Sequence, residues 1–307
     1  MQYPLKRWLV ALDLTEMDQH LIAYTAFLAQ YFQPEQVYFI HAPKNLDLPE
    51  DLKEELYHTD KPLDEHLEDQ IRKQVAEQFS ATQIPTDVKI TEGSPLPEIL
   101  HWSKIKEIDL ILVGKKQQLK GNGVLPKRLA RRSACSILFV SETAPLRLQK
   151  IIVGTDFSEL SKRALQQACH IAQYLPQSLI LAHHVYHVPQ GYHTSGKSHE
   201  AFAEIIEGHA QKRYERFVQG LDLPENVRVE PLFALDKDLG AARTLCQSAQ
   251  AAEADIILIT SRGRTNFAAL LLGSFAEEMV MENITTPMLI LKNKNKNMGV
   301  LDALLNV

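Results

Sequence analysis

Residues 7–16 read RWLVALDLTE and residues 150–159 read KIIVGTDFSE: one apolar strand closing on one aspartate, repeated 143 positions on in a chain of 307. The register continues without a gap for about thirty residues. It carries Asp13 onto Asp156, Glu16 onto Glu159, Ala29-Gln30-Tyr31 onto Ala172-Gln173-Tyr174 and His41 onto His184. Solenoid repeats recur every roughly 20–50 residues, so this spacing marks a duplicated domain.

Working outward, each copy alternates short apolar strands with helical stretches. The first strands cover 8–12 and 151–155, and Thr15 and Ser158 stand where a helix N-cap belongs. In the second copy Ala164, Leu165, Ala168, Ile171, Ala172 and Leu175 follow at helical spacing. Second strands are expected at 37–42 and 179–185, then helical character at 50–80 and 198–219. A third strand (88–91; 227–231) and a helix (96–107; 238–252) come next. Fourth strands read IDLILVG (108–114) and ADIILIT (254–260), and fifth strands lie at 136–140 and 288–292. This alternation predicts an α/β chain of two tandem doubly wound, Rossmann-like domains, each a five-stranded mainly parallel sheet covered by helices on both faces. Their boundaries are expected at 1–143 and 149–293, with a short linker around 141–149 and a C-terminal tail over 294–307. The tail alternates Lys and Asn before turning apolar at Val300, Leu301, Leu304 and Leu305, which reads as a strap with a docking end.

Composition limits the function classes. With 45% hydrophobic and 23% charged residues and no apolar run near the ~18 residues that cross a bilayer, a soluble protein without a membrane partner is expected. The start, MQYPLKRWLV, has no apolar stretch of signal-peptide length. Cys135, Cys169 and Cys246 are odd in number and form no CxxC pair, which favours a reducing compartment and hence the cytoplasm. A net charge of −5 gives no reason to expect nucleic acid.

In an open parallel sheet a ligand sits beyond the carboxyl ends of the strands, where strand order reverses. In the second copy Thr155 and Asp156, His184 and Val185, and the loop Thr260–Ser274 should meet there. Gly263 would let backbone N–H groups approach an anion, and Gly273-Ser274 opens a helix, from Phe275, whose N-terminus favours phosphate. Arg262 and Arg264 add cationic donors.

On these residues the second copy resembles a universal stress protein domain, and the chain a tandem universal stress protein. Nucleotide-binding members carry Gly, two residues, Gly, nine residues, then Gly followed by Ser or Thr. Here Gly263, Gly273 and Ser274 match, with nine residues between the glycines, while Thr260 occupies the first glycine position. The family's aspartate falls on Asp156, and its adenine-contacting valine on Val185. The resemblance implies ATP or another adenine nucleotide as ligand, with Asp156 and Val185 at its base and ribose end. Thr155, Thr260, Arg262, Gly263, Arg264, Gly273, Ser274 and Phe275 complete the expected site, and magnesium could accompany the nucleotide. It also implies that the last strands, Ser136–Val140 and Met288–Lys292, pair antiparallel as an intramolecular, pseudo-twofold dimer, with a further homodimer open. An unidentified protein partner would read the bound state in a stress response. Thr260 leaves two alternatives. If the glycine it replaces needed φ > 0, a β-branched residue obstructs the loop; if it used ordinary dihedrals, the hydroxyl adds a donor.

The first copy departs further. Gly114 holds the first glycine position, but Gln117 replaces the second. Eight residues separate Gly114 from Gly123, and Val124 follows in place of a hydroxyl. Ala42 stands where Val185 stands. At most one nucleotide per chain is expected. Residues 110–141 contain no acid and seven bases: Lys115, Lys116, Lys120, Lys127, Arg128, Arg131 and Arg132. They form a solvated helix face or a docking surface for an anionic partner; no aromatic residue interleaves as in a nucleic-acid surface. Six of the twelve histidines crowd residues 183–209 of the second copy: His183, His184, His187, His193, His199 and His209. Strand alternation sends His183 and His184 to opposite faces, so core or solvated histidines are expected rather than a metal site.

No GxSxG elbow, P-loop or strand-end carboxylate pair is present. A binding module is therefore expected in place of an enzyme, with slow ATP hydrolysis left open. Two alternatives stand beside it. One is a scaffold that uses the basic first-copy surface. The other is an ATP-using enzyme, which would need a Ser/Gly-rich loop after the first strand, where this chain reads Thr155-Asp156-Phe157-Ser158.

Overall fold

The computed structural model describes residues 5–47, 61–116, 124–175, 177–262 and 272–294. It divides into two units, one of residues 4–142 and one built on residues 143–307. In the first unit the apolar runs form β1 (Arg7–Leu12), β2 (Gln36–His41), β3 (Thr86–Ile90), β4 (Leu110–Lys115) and β5 (Ser136–Ser141). All neighbours are parallel, in the order β3-β2-β1-β4-β5. Helices α1 (Glu16–Phe32), α2 (Leu63–Phe79), α3 (Pro95–Ile105) and α4 (Val124–Arg132) fill the crossovers. The second unit repeats the plan with β6 (Lys150–Gly154), β7 (Leu179–Tyr186), β8 (Arg228–Leu235), β9 (Ile256–Thr260) and β10 (Met288–Leu291), ordered β8-β7-β6-β9-β10 and again parallel. Its helices are α5 (Glu159–Ala172), α6 (His199–Val218), α7 (Ala241–Ala251) and α8 (Ser274–Glu282).

The strands are near-continuous apolar runs because helices cover them on both faces. Trp8, Leu9, Val10, Ile151, Ile152 and Val153 are all 0% exposed. Burial of each such side chain stabilises the fold by roughly 1.5–3 kcal/mol. Trp8 keeps its one polar atom satisfied, the indole Nε1 donating to the Leu5 carbonyl at 2.8 Å. In α5 the spacing Ala164, Leu165, Ala168, Ile171, Ala172 buries one stripe. Small residues there let the helix approach the sheet.

Two buried aspartates pin the central strands. Asp255, just before β9 and 1% exposed, accepts from the backbone N–H groups of Gln149 and Lys150 at 2.8 and 2.9 Å and from Arg147 Nε at 2.7 Å. Asp109, just before β4, accepts from the N–H groups of Lys6 and Arg7, both at 3.1 Å. Each aspartate also donates its own N–H back to the strand it holds, at 2.8 Å to the carbonyls of Arg7 and Lys150. An acid at the head of an apolar strand, IDLIL and ADIIL, is the sequence signal for this device.

Among the described residues no helix is long and apolar enough to cross a membrane. The three cysteines are buried thiols, none in a disulfide, and burial pushes the Cys169 thiol up to about 11. The expected docking tail from residue 295 onward, and residues 50–60 of the expected helical stretch, lie outside the described residues.

Candidate functional site

Strand order reverses between β6 and β9, and a cavity of about 240 Å³ opens at their carboxyl ends. Thr155, Asp156, Val185, Thr260, Arg262, Gly273, Ser274 and Phe275 all line it. The other two expected residues, Gly263 and Arg264, lie outside the described residues. The volume falls a little below the roughly 300 Å³ where small-molecule pockets usually begin.

The floor is built by the turn after β6. Thr155 donates its N–H to the His183 carbonyl at 2.7 Å and its hydroxyl to Ser161 Oγ at 3.0 Å. Its Oγ1 also accepts from the Phe157 N–H at 3.0 Å. Asp156 Oδ1 accepts from the Ser158 N–H at 3.0 Å, and Ser158 caps α5 by accepting from the Ser161 N–H at 3.3 Å. Between them Phe157 takes a left-handed backbone, φ 62°, unusual for a bulky residue. Its ring lies 4.3 Å from the His184 ring and 5.5 Å from that of Phe217, with the Arg213 guanidinium 4.7 Å over its face. Arg213 also donates to the Asp156 carbonyl at 3.3 Å. His184 Nδ1 donates to the Thr155 carbonyl at 2.8 Å. In the first unit His41 does the same to the Leu12 carbonyl at 3.0 Å, so this histidine is a strand clamp in both copies.

Thr260 itself carries no left-handed backbone. It ends β9 paired with Leu291, and it is absent from the non-glycine residues with positive φ. Its hydroxyl donates to the Arg262 carbonyl at 2.6 Å and so braces the loop. Gly273 likewise has ordinary angles, φ −84° and ψ 161°. An added Cβ would meet the Ser261 carbonyl oxygen at 3.4 Å, an ordinary contact. Gly273 is the N-cap of α8, whose first residues, Ser274, Phe275 and Ala276, line the cavity; the first N–H groups of a helix have no intrahelical acceptor.

Gly154 leaves little room for a side chain. A Cβ there would stand 3.0 Å from Leu245 Cδ1 and 3.1 Å from Ile259 Cγ2, both cavity residues. His183, expected as a core or solvated histidine, is a core residue, yet it also lines the cavity. Burial pushes its imidazole down to about 4, and the neighbouring His184 adds to the fall. His187, His193, His199 and His209 are exposed. Among the described residues no three His, Cys, Asp or Glu side chains are placed to hold a metal ion.

The first unit arranges its matching residues differently. Lys116 Nζ lies 2.5 Å from Asp13 Oδ2, and Thr15 donates to Asp13 Oδ1 at 2.6 Å instead of capping α1. Burial alone would raise the Asp13 carboxyl, but hydrogen bonds from Lys116 and Thr15 carry it below its ordinary value. Met17 packs over Gly114, where an added Cβ would stand 2.7 Å from Met17 Cγ. Asp18, which no motif in the sequence singles out, takes the place of Ser161. It is 7% exposed and accepts from the Asp13 and Leu14 N–H groups at 3.1 and 2.7 Å. Burial pushes its carboxyl up to about 6. Gln117 and Gly123 lie outside the described residues.

Residues 4–141 and 147–292 each match the model of the universal stress protein family. No curated protein matches the chain. Among solved structures, a functionally unknown protein from Pseudomonas aeruginosa is similar over 99% of both chains, with a TM-score of 0.65 and 15% identity. A universal stress protein from Archaeoglobus fulgidus is similar over 95% of this chain and 98% of its own, with a TM-score of 0.60 and 16% identity. These structures share the fold of both units. With the family model matched twice over most of its length, the chain belongs to the universal stress protein family, in which it is a tandem member.

Proposed function

We propose that the second unit binds an adenine nucleotide, ATP first among candidates, and that the chain acts as a binding module whose bound state a partner reads. One observation carries this reading: the cavity at the β6/β9 switch point collects eight of the ten residues singled out from the sequence. Its chemistry fits the ligand at both ends. Ala241, Leu245, Val185 and Ile259 give the apolar walls a base requires, and Asp156 offers a carboxylate to the ribose. Arg262 and the start of α8 supply positive charge and N–H donors to phosphate oxygens.

A binding role suits these residues better than turnover. Asp156 is the one acid lining the cavity among the described residues, and its carboxylate is engaged by the Ser158 N–H. Among those residues no second acid stands beside it to take a proton from an attacking water.

Calorimetry on ligand-stripped protein, with and without magnesium, tests the reading. One ATP per chain is expected, with affinity lost at least a hundredfold in Gly273→Trp, whose indole would fill the mouth. Gly273→Ala, which the contacts accommodate, should bind as wild type. Absence of binding to the wild-type chain would reject the reading in favour of a scaffold that works through the basic face of α4, where Arg128, Arg131 and Arg132 are exposed.

A further inference from the structure

Among the described residues, the second unit buries an imidazole that no protein group satisfies. His183 is 1% exposed, and neither ring nitrogen has a hydrogen-bond partner among those residues. A buried polar group in that state destabilises a fold, and one retained in a cavity wall calls for an explanation in terms of what the cavity takes. The scaffold itself does not require it. The repeat places Ile40, 2% exposed, at the same point of β2, so an apolar side chain satisfies the packing there.

Geometry directs the ring toward the cavity. His184 and Tyr186 occupy one face of β7, stacked on Phe157 and bonded to Glu207 of α6. His183 and Val185 therefore share the opposite face, and both line the cavity with Ala241 and Leu245 of α7, as His184 also does. Across the β6–β7 ladder His183 is paired with Gly154, so the neighbouring strand contributes no side chain at that level. Leu245 and Ile259, the side chains beside Gly154, are apolar.

We propose that His183 is a specificity-determining contact whose imidazole, on the sheet floor of the cavity, exchanges hydrogen bonds with the uncharged base end of the bound nucleotide. The proposal rests on the nucleotide reading of this cavity. Burial keeps the ring neutral, with one nitrogen a donor and the other an acceptor. A neutral ring on apolar walls suits a purine edge, which presents both donors and acceptors. It does not suit phosphate, for which Arg262 and the start of α8 are the matching groups.

The experiment titrates ATP and adenosine into the full chain by calorimetry, comparing wild type, His183→Ile (the residue of the other copy) and His183→Gln. His183→Ile should weaken both ligands on the order of tenfold. Its thermal midpoint without ligand should rise by about 2–4 °C as the unsatisfied group is removed. His183→Gln, which keeps a donor and an acceptor, should recover part of the affinity. In the wild type, ¹⁵N shifts of the His183 ring should move when ATP is added, and this holds the test open if the Ile variant fails to fold. Equal affinities in wild type and His183→Ile, or ring shifts unmoved by bound ATP, would overturn the proposal and leave the nucleotide reading standing. A wild-type chain that binds neither ATP nor adenosine would overturn both.

Discussion

In the first unit Asp13 grips Lys116 and Met17 lies over Gly114; at the matching places of the second unit Asp156 and Arg262 line a cavity. The scaffold is the same in both, down to the clamp histidine, the left-handed residue after the aspartate (Leu14 at φ 58°, Phe157 at φ 62°) and the buried aspartate behind the fourth strand. What separates the units is which side chains turn inward above the switch point. The comparison teaches that one sheet plan carries different side chains above its switch point, an ion pair and a methionine in the first unit and cavity-lining residues in the second.

The largest expected effect tests the shared scaffold. Asp255→Ala should destabilise the second unit by about 3–4 kcal/mol, because two strand N–H groups and Arg147 lose their acceptor. Asp109→Ala, at a less buried site with two such bonds, should cost the first unit about 2 kcal/mol. Both tryptophans, Trp8 and Trp102, lie in the first unit. Urea titrations followed by tryptophan fluorescence and by far-ultraviolet circular dichroism would assign each loss to its unit. Equal losses in both signals for Asp255→Ala would contradict the assignment.

Next comes the difference between Asp18 and Ser161. Because burial raises the folded Asp18 carboxyl from 3.8 to about 6, its protonated form favours the fold. That contribution is fully present below the unfolded value and is lost as pH rises through about 6. The loss is roughly 3 kcal/mol between about pH 4 and about pH 8. Fluorescence-monitored melts should therefore show the first unit gaining stability on mild acidification. Asp18→Asn should flatten that response and raise the midpoint at about pH 8. An unchanged pH profile in the variant would place the titrating group elsewhere.

The smallest effect concerns the Asp13–Lys116 ion pair of the first unit. Asp13 is about half exposed, so Lys116→Met should alter stability by less than about 1 kcal/mol. Met17 and Ala42 remain in place, and titration with a fluorescent ATP analogue should still give one site per chain. A second site appearing in this variant would show that the lysine alone had closed the first unit.

The fold is legible in the sequence because the repeat lets each strand be read twice, and apolar runs buried on both faces leave little ambiguity. Expected strand limits such as 179–185 and 136–140 fall within a residue of Leu179–Tyr186 and Ser136–Ser141. The helix opened by Gly273-Ser274 is legible from its cap residues alone. Other features depend on partners distant in sequence. Lys116 reads as one of seven surface bases, yet its side chain is 11% exposed because Asp13, 103 residues away, draws it in. Thr260 is ambiguous in the sequence because a residue type does not report the backbone angles of the residue it replaced. The role of His183 is hidden for a related reason, since nothing in strand alternation says whether a buried ring will find a partner.

The aspartate behind each fourth strand also sets an order of events at the ribosome. Strand β1 lies between β2 and β4, but Asp109 is made about a hundred residues after the Lys6 and Arg7 amides it holds. Closing so long a loop cannot precede synthesis of its far end, so β1 should wait half-paired until β4 has emerged. Asp255 does the same for β6 within the second unit. Each copy is thus completed by its own late acid, and the first can finish before the strands of the second exist. Stalled chains ending before residue 109 should be cut readily by protease, and chains extending well past residue 142 should resist it. A two-unit chain built this way exposes one unfinished sheet at a time, which limits mispairing between two copies so alike.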